Sequence, residues 1–198
     1  MRLAYADPPY PGKAHLYPEN TEVDHVELIA RLEEYDGWAL STEETNLAYV
    51  LSLCPPKTRV LAWCRTNSPP FKPYPYFAWE PVLCRPARID NTQPFRSYVV
   101  TGKLGREQRL VGQKPAEFCE WVIGCLGATP NDSLDDLFPG TGVMGDTFAR
   151  FQNQLKLSLS ITTPTKPGRP KQNILRRTAE TLPGFLPPAF DSERRAAR

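Results

Sequence analysis

The chain has 198 residues, 24 basic and 22 acidic, for a net charge of +2, so total charge alone demands no polyanionic partner and any such contact must come from local clusters. Its 40% hydrophobic content suffices for one domain with a tail. No apolar run approaches the ~20 residues of a membrane span and the N-terminus reads as a strand rather than a signal peptide, so an intracellular protein is expected. Five cysteines, Cys54, Cys64, Cys84, Cys119 and Cys125, form no C-x-x-C pair, and only His15 and His25 are present; reduced buried thiols are expected, with no metal site.

The first element is a short strand over residues 3–7, which runs into Asp7-Pro8-Pro9-Tyr10. Each proline fixes φ and pushes the residue before it out of the helical region, so Asp7 and Pro8 are held extended with their carbonyls outward. A carboxylate and a carbonyl aimed at one point can accept two hydrogen bonds from an amino group, and the Tyr10 ring offers a flat surface for a heteroaromatic ring. The same tetrapeptide could be a plain surface turn in a chain with 22 prolines. Its place at the carboxyl end of a strand, where open α/β sheets bind ligands, favours a site.

Thr21 to Glu34 carries Val23, Val26, Leu28, Ile29 and Leu32 at helical spacing, with Thr21 as its cap. Gly37–Ser41 suits a second strand, Thr42–Cys54 a second helix, and Arg59–Cys64 and Trp79–Cys84 a third and fourth strand. Strands alternating with helices in this way predict a layered α/β sheet. Residues 65–113 form a loop-rich region. Within it, Arg65, Lys72, Tyr74 and Tyr76 are suited to meet phosphate and to stack on extruded or single-stranded bases, unless the aromatics pack on the domain itself. The basic stretch Arg85–Arg109 shows little apolar periodicity and reads as a loop beside a substrate cleft.

Lys114-Pro115 precedes the apolar positions Phe118, Trp121, Val122, Cys125 and Leu126, again at helical spacing. Leu134 to Gly142 then gives a strand and a Gly-rich turn, and Val143–Phe151 can continue as a helix. Glycines allow close approach of backbone to ligand, and helix-terminal amides can meet a negative group. Leu155–Ile161 alternates as a further strand would, ending in Thr162-Thr163-Pro164. Composition changes after Thr163. Residues 164–198 are a basic tail whose Gly168-Arg169-Pro170 resembles in part the core of an AT-hook, with Pro167 in place of its usual preceding arginine. Arg169 would be a minor-groove contact; the alternatives are a tail that binds phosphates without sequence preference or one that only solubilises the chain.

Asp7-Pro8-Pro9-Tyr10 together with Asp136, Phe138, Gly140, Thr141 and Gly142 resembles the S-adenosylmethionine-dependent amino-methyltransferases of the D-P-P-Y, adenine-N6 group. In that family a D-x-F-x-G-[ST]-G turn binds the methionine part of the cofactor, and Lys114-Pro115 is similar to its K-P-x-x-[LF] helix, which closes over the cofactor. The resemblance spans residues 3–151, with the motifs in circularly permuted order. It implies a Rossmann-like class I methyltransferase sheet flanked by helices over residues 1–163. Asp7, Pro8, Pro9 and Tyr10 would be catalytic, and Asp136, Phe138, Pro139, Gly140, Thr141, Gly142, Lys114 and Asp7 would bind S-adenosylmethionine.

DNA is the implied partner, with RNA as the alternative. No long sequence-reading insertion is present, so recognition falls to short loops or to a homodimeric or heterodimeric partner. The chain departs from the family where the Leu155–Ile161 strand ends without the usual ribose-binding acid. Cytosine N4 or an amide nitrogen would suit the same acceptors, and loss of the ribose contact would suit a non-catalytic nucleic-acid-binding subunit. A nicotinamide enzyme built on Gly140, Gly142 and Gly145 would leave residues 7–10 without a role.

Overall fold

Strands β1 (Arg2–Ala6), β2 (Gly37–Ser41), β3 (Arg59–Arg65), β4 (Trp79–Arg85), β5 (Tyr98–Thr101) and β6 (Ser133–Asp136) alternate with helices α1 (His25–Leu32), α2 (Leu47–Leu53), α3 (Ala116–Cys125) and α4 (Val143–Ile161). The computed structural model describes residues 1–16, 21–66, 78–89, 95–102 and 114–161, with side chains as far as 154. Lys72, Tyr74, Tyr76, Arg169 and the basic tail lie outside the described residues.

The strands form one six-stranded sheet in the order β5-β3-β4-β2-β1-β6. β1 pairs in parallel with β2 and β6, and β3 with β5, while β4 runs antiparallel to β2 and β3. Five strands therefore end at one edge of the sheet, and that edge carries residues 7–10 and 136–142.

Period-two alternation builds the two layers. In β1, Leu3 and Tyr5 face α3 and α4, where they join Trp63, Phe118, Val122, Met144 and Phe148 in one core. Ala4 and Ala6 face the other way and pack with Trp38, Leu40 and Leu83 against Leu28, Ile29 and Leu32 of α1 and Val50 of α2. Small alanines let the α1 layer approach β1 closely. Among the described residues, no helix is long and apolar enough to cross a membrane.

Several local expectations are corrected. The cap of α1 is Asp24 rather than Thr21: its carboxylate accepts from the backbone N–H groups of Val26 and Glu27 at 2.8 and 3.2 Å. Val26 is exposed, and His25 takes a buried place on that helix. α2 begins at Leu47, five residues later than expected, because the Thr42 N–H is drawn to the Pro81 carbonyl and the chain turns through Asn46 before the helix starts. Arg85–Arg109 is not all loop. Its Tyr98–Thr101 forms β5, too short to show periodicity and, among the described residues, paired with β3 at the sheet edge.

The strand expected at 155–161 does not form, since α4 runs unbroken to Ile161. Between Asp146 and Thr163 the sequence has neither glycine nor proline, so extending an existing helix is easier than starting a strand. The end of that segment is therefore the end of a helix, not the strand end at which a ribose-binding acid is expected.

Candidate active site

β1 and β6 bring the two motifs together. Tyr5 lies opposite Asp136 in the parallel ladder, and the Leu137 N–H continues it by donating to the Tyr5 carbonyl at 2.9 Å. Asp7 thus leaves the sheet edge beside the turn that follows Asp136. Asp7, Pro9 and Tyr10 are partly exposed, whereas Pro8 is buried and anchors the tetrapeptide.

The Gly-rich turn is shaped by its backbone. Gly140 and Gly142 have φ of 47° and 77°, in the left-handed region that side chains disfavour. The Gly142 N–H donates to the Pro139 carbonyl at 2.6 Å, and α4 starts at the next residue. Among the described residues, none comes within 4 Å of a Cβ at Gly142 or Gly145, so the turn borders open space there. Asp136 accepts from the Phe138 N–H at 3.3 Å, and Phe138 packs at the margin of the α1 core. Pro139 and Thr141 are exposed.

Lys114 is the centre of the charge at this edge. It is buried, with 7% of its surface exposed, and its Nζ lies 2.9 Å from both carboxylate oxygens of Asp7 and 3.4 Å from Glu80 Oε2. The rings of Trp63 and Phe118 stand 5.4 and 6.0 Å from the ammonium. Pro115 caps α3 in an extended conformation and so delivers Lys114 to the sheet edge.

Glu80 is the residue that sequence reasoning missed. It lies near the start of β4, where its Oε1 accepts from Arg65 Nη1 at 2.7 Å and its Oε2 from the Tyr10 hydroxyl at 3.2 Å. The available signal was a lone acid inside the otherwise apolar run Ala78-Trp79-Glu80-Pro81-Val82-Leu83. Arg65, expected to meet phosphate, is placed by the structure against this carboxylate.

Burial and neighbouring charges together set the ionisation of these groups. Desolvation raises the Asp7 pKa, with the charge of Glu80 adding to it, while the charge and hydrogen bond of Lys114 pull it down. Desolvation also raises Asp136, opposed by the Phe138 N–H and reinforced by Asp7. For Lys114 desolvation works against the charged form, yet Asp7, Tyr5 and Glu80 outweigh it and hold the ammonium well above the usual range. Burial pushes the Cys119 thiol up to about 12, which keeps it an inert core thiol. Among the described residues, no group of three or more histidine, cysteine or acidic side chains could hold a metal ion.

The mixed six-stranded sheet with a helix layer on each face is the Rossmann-like methyltransferase fold, as its likeness to solved structures shows. The structure of M1.HpyAVI in complex with SAM aligns with a TM-score of 0.54 and 16% identity, covering 77% of this chain and 79% of that chain. A second structure, of M1.HpyAVI, aligns with a TM-score of 0.50 and 17% identity over 76% of each chain. No protein-family model and no curated protein matches the chain.

Proposed function

We propose that this chain is an S-adenosylmethionine-dependent methyltransferase acting on the exocyclic N6 amino group of adenine in DNA, with its motifs in permuted order. The observation that carries the reading is the juxtaposition, on adjoining parallel strands, of Asp7-Pro8-Pro9-Tyr10 and the Gly140-Thr141-Gly142 turn. The likeness to M1.HpyAVI in complex with SAM supports the choice of cofactor.

The residues present fit that cofactor. The open space before Gly142 and Gly145 gives a ligand close access to backbone, and Asp136, Phe138, Pro139, Gly140, Thr141 and Gly142 would hold it there. Among the described residues at this edge, the carboxylates of Asp7, Glu80 and Asp136 outnumber the cations of Lys114 and Arg65, an excess of negative charge that suits a sulfonium. When bound, S-adenosylmethionine supplies a methyl group made electrophilic by that sulfonium.

The remaining work belongs to the acceptor loop. An exocyclic amine is a weak nucleophile because its lone pair is delocalised into the ring. Donating its two hydrogens to Asp7 and the Pro8 carbonyl favours a pyramidal nitrogen with a localised pair. Asp7 accepts the proton as the amine is alkylated, and Tyr10 holds an extruded base by stacking. Lys114 serves as the counter-ion that keeps Asp7 an acceptor despite its burial.

The test is incubation with methyl-labelled cofactor and unmethylated DNA or RNA, followed by digestion to nucleosides. Label in N6-methyldeoxyadenosine is expected. Label confined to cytosine, to RNA or to protein would overturn the substrate assignment, and absence of label in all of them would overturn the activity.

A further inference from the structure

We propose that Glu80 is a positioning residue of this site: it competes with Asp7 for the single ammonium of Lys114 and sets how firmly that ammonium is held against the catalytic carboxylate. The inference rests on the reading of Asp7 as the amine acceptor, and it concerns the control of that acceptor.

The geometry sets up the competition. Lys114 Nζ lies 2.9 Å from each oxygen of Asp7, so one ammonium straddles both oxygens of the carboxylate to which an incoming amine must donate. Glu80 Oε2 stands 3.4 Å from the same nitrogen, a longer contact on its other side. Removing a buried lysine from its only partner would leave a bare charge in a site where Lys114 keeps 8% side-chain exposure, which is costly. With Glu80 present, the ammonium can loosen its hold on Asp7 and stay paired. Arg65 tempers the competition. Its Nη1 sits 2.7 Å from Glu80 Oε1 and neutralises part of the charge that draws Lys114 away.

Tyr10 connects this balance to the substrate surface. Its hydroxyl donates to Glu80 Oε2, the same oxygen that faces Lys114. The ring proposed to stack on the base and the ammonium on the acceptor are therefore fixed by one carboxylate atom. Tyr10 and Lys114, far apart in sequence, are coupled through it, at the start of a strand whose neighbours are apolar.

Other groups facing Asp7 fix the sign of the test. They are Tyr10 in its own loop, Tyr5 on β1, Asp136 at the end of β6, Cys119 on α3, and Lys114 and Glu80. Among these described groups only Lys114 is a cation, and its pairing is what Glu80 and Arg65 modulate.

The experiment is a carboxyl-carbon NMR titration of Asp7 in the full chain, for the wild type, Glu80→Gln, Arg65→Gln and Lys114→Met. Glu80→Gln removes a negative neighbour and returns the ammonium to Asp7, so the midpoint moves to lower pH. Arg65→Gln leaves Glu80 stronger as a competitor, and Lys114→Met removes the cation, so both midpoints move to higher pH. A merely structural Glu80 would give no such opposite movements. The proposal is overturned if the Glu80→Gln midpoint stays put or rises, or, should that variant fail to fold, if the Arg65→Gln midpoint stays put or falls. Because the titration needs no turnover, a chain that transfers no methyl group can still show the sharing. Conversely, an active enzyme with unmoved midpoints would refute it.

Discussion

Asp7 and Asp132 are both acids at the ends of strands in one sheet, each held by a cation, yet their ionisation moves in opposite directions. At the amino-terminal edge, Asp132 accepts two hydrogen bonds from Arg88 at 2.6 and 2.9 Å and two more from the Thr129 N–H and hydroxyl at 2.7 and 2.9 Å. Those bonds, led by Arg88, outweigh burial and hold its carboxyl well below the usual range. At the carboxyl-terminal edge, Asp7 shares Lys114 with Glu80, and burial wins. A saturated carboxylate is a clamp. An under-supplied one keeps acceptor capacity for a substrate, which is the property the proposed chemistry needs.

The contrast can be broken first at the clamp. Asp132→Ala leaves Arg88 without its partner and should cost about 3 kcal/mol, the low end for a buried pair because Arg88 reaches solvent, as read by denaturant unfolding. The loss should depend on pH in a definite direction. A depressed folded-state pKa stabilises fully above the unfolded aspartate value near ~4 and loses its effect as pH falls through the folded value. The gap between wild type and Asp132→Ala should therefore narrow in acid, and a gap that widens there would contradict the clamp.

At the other edge the expected effects fall on ligands. Tyr10→Ala should weaken DNA binding by about 1–3 kcal/mol through lost stacking, with little change in cofactor affinity by calorimetry. Gly142→Ala should be smaller, at about 1–2 kcal/mol, because φ of 77° is strained for alanine. It should reduce cofactor binding even though, among the described residues, the new methyl meets no protein atom. Gly145→Ala lies within α4 with the same open surroundings and should stabilise the fold by up to about 1 kcal/mol, separating helix propensity from turn geometry in a thermal melt.

The parts of the site that were legible in the sequence are those where one residue type is physically compelled. Pro8 and Pro9 fix an extended acceptor loop, and Gly140 and Gly142 occupy backbone conformations other residues avoid, so both motifs are visible without tertiary information. Lys114 was legible as part of a motif, but its partners were not: a buried ammonium finds Asp7 and Glu80 across more than thirty residues of intervening chain. Glu80 was hidden because strand periodicity reports which face a side chain takes, not which strand end reaches a site. β5 has four residues and, among the described residues, a single neighbour, too little pattern to read. The alternation at 155–161 misled because helix propagation from Val143 overrode a local period of two.

The distinction between the two edges is tested most directly by the single-turnover methyl-transfer rate of Asp7→Ala, normalised to folded protein and paired with calorimetric titration of S-adenosylmethionine. The account predicts a loss of about 10²–10⁴-fold in transfer, with cofactor affinity within a few-fold of wild type. A transfer rate close to wild type would contradict it.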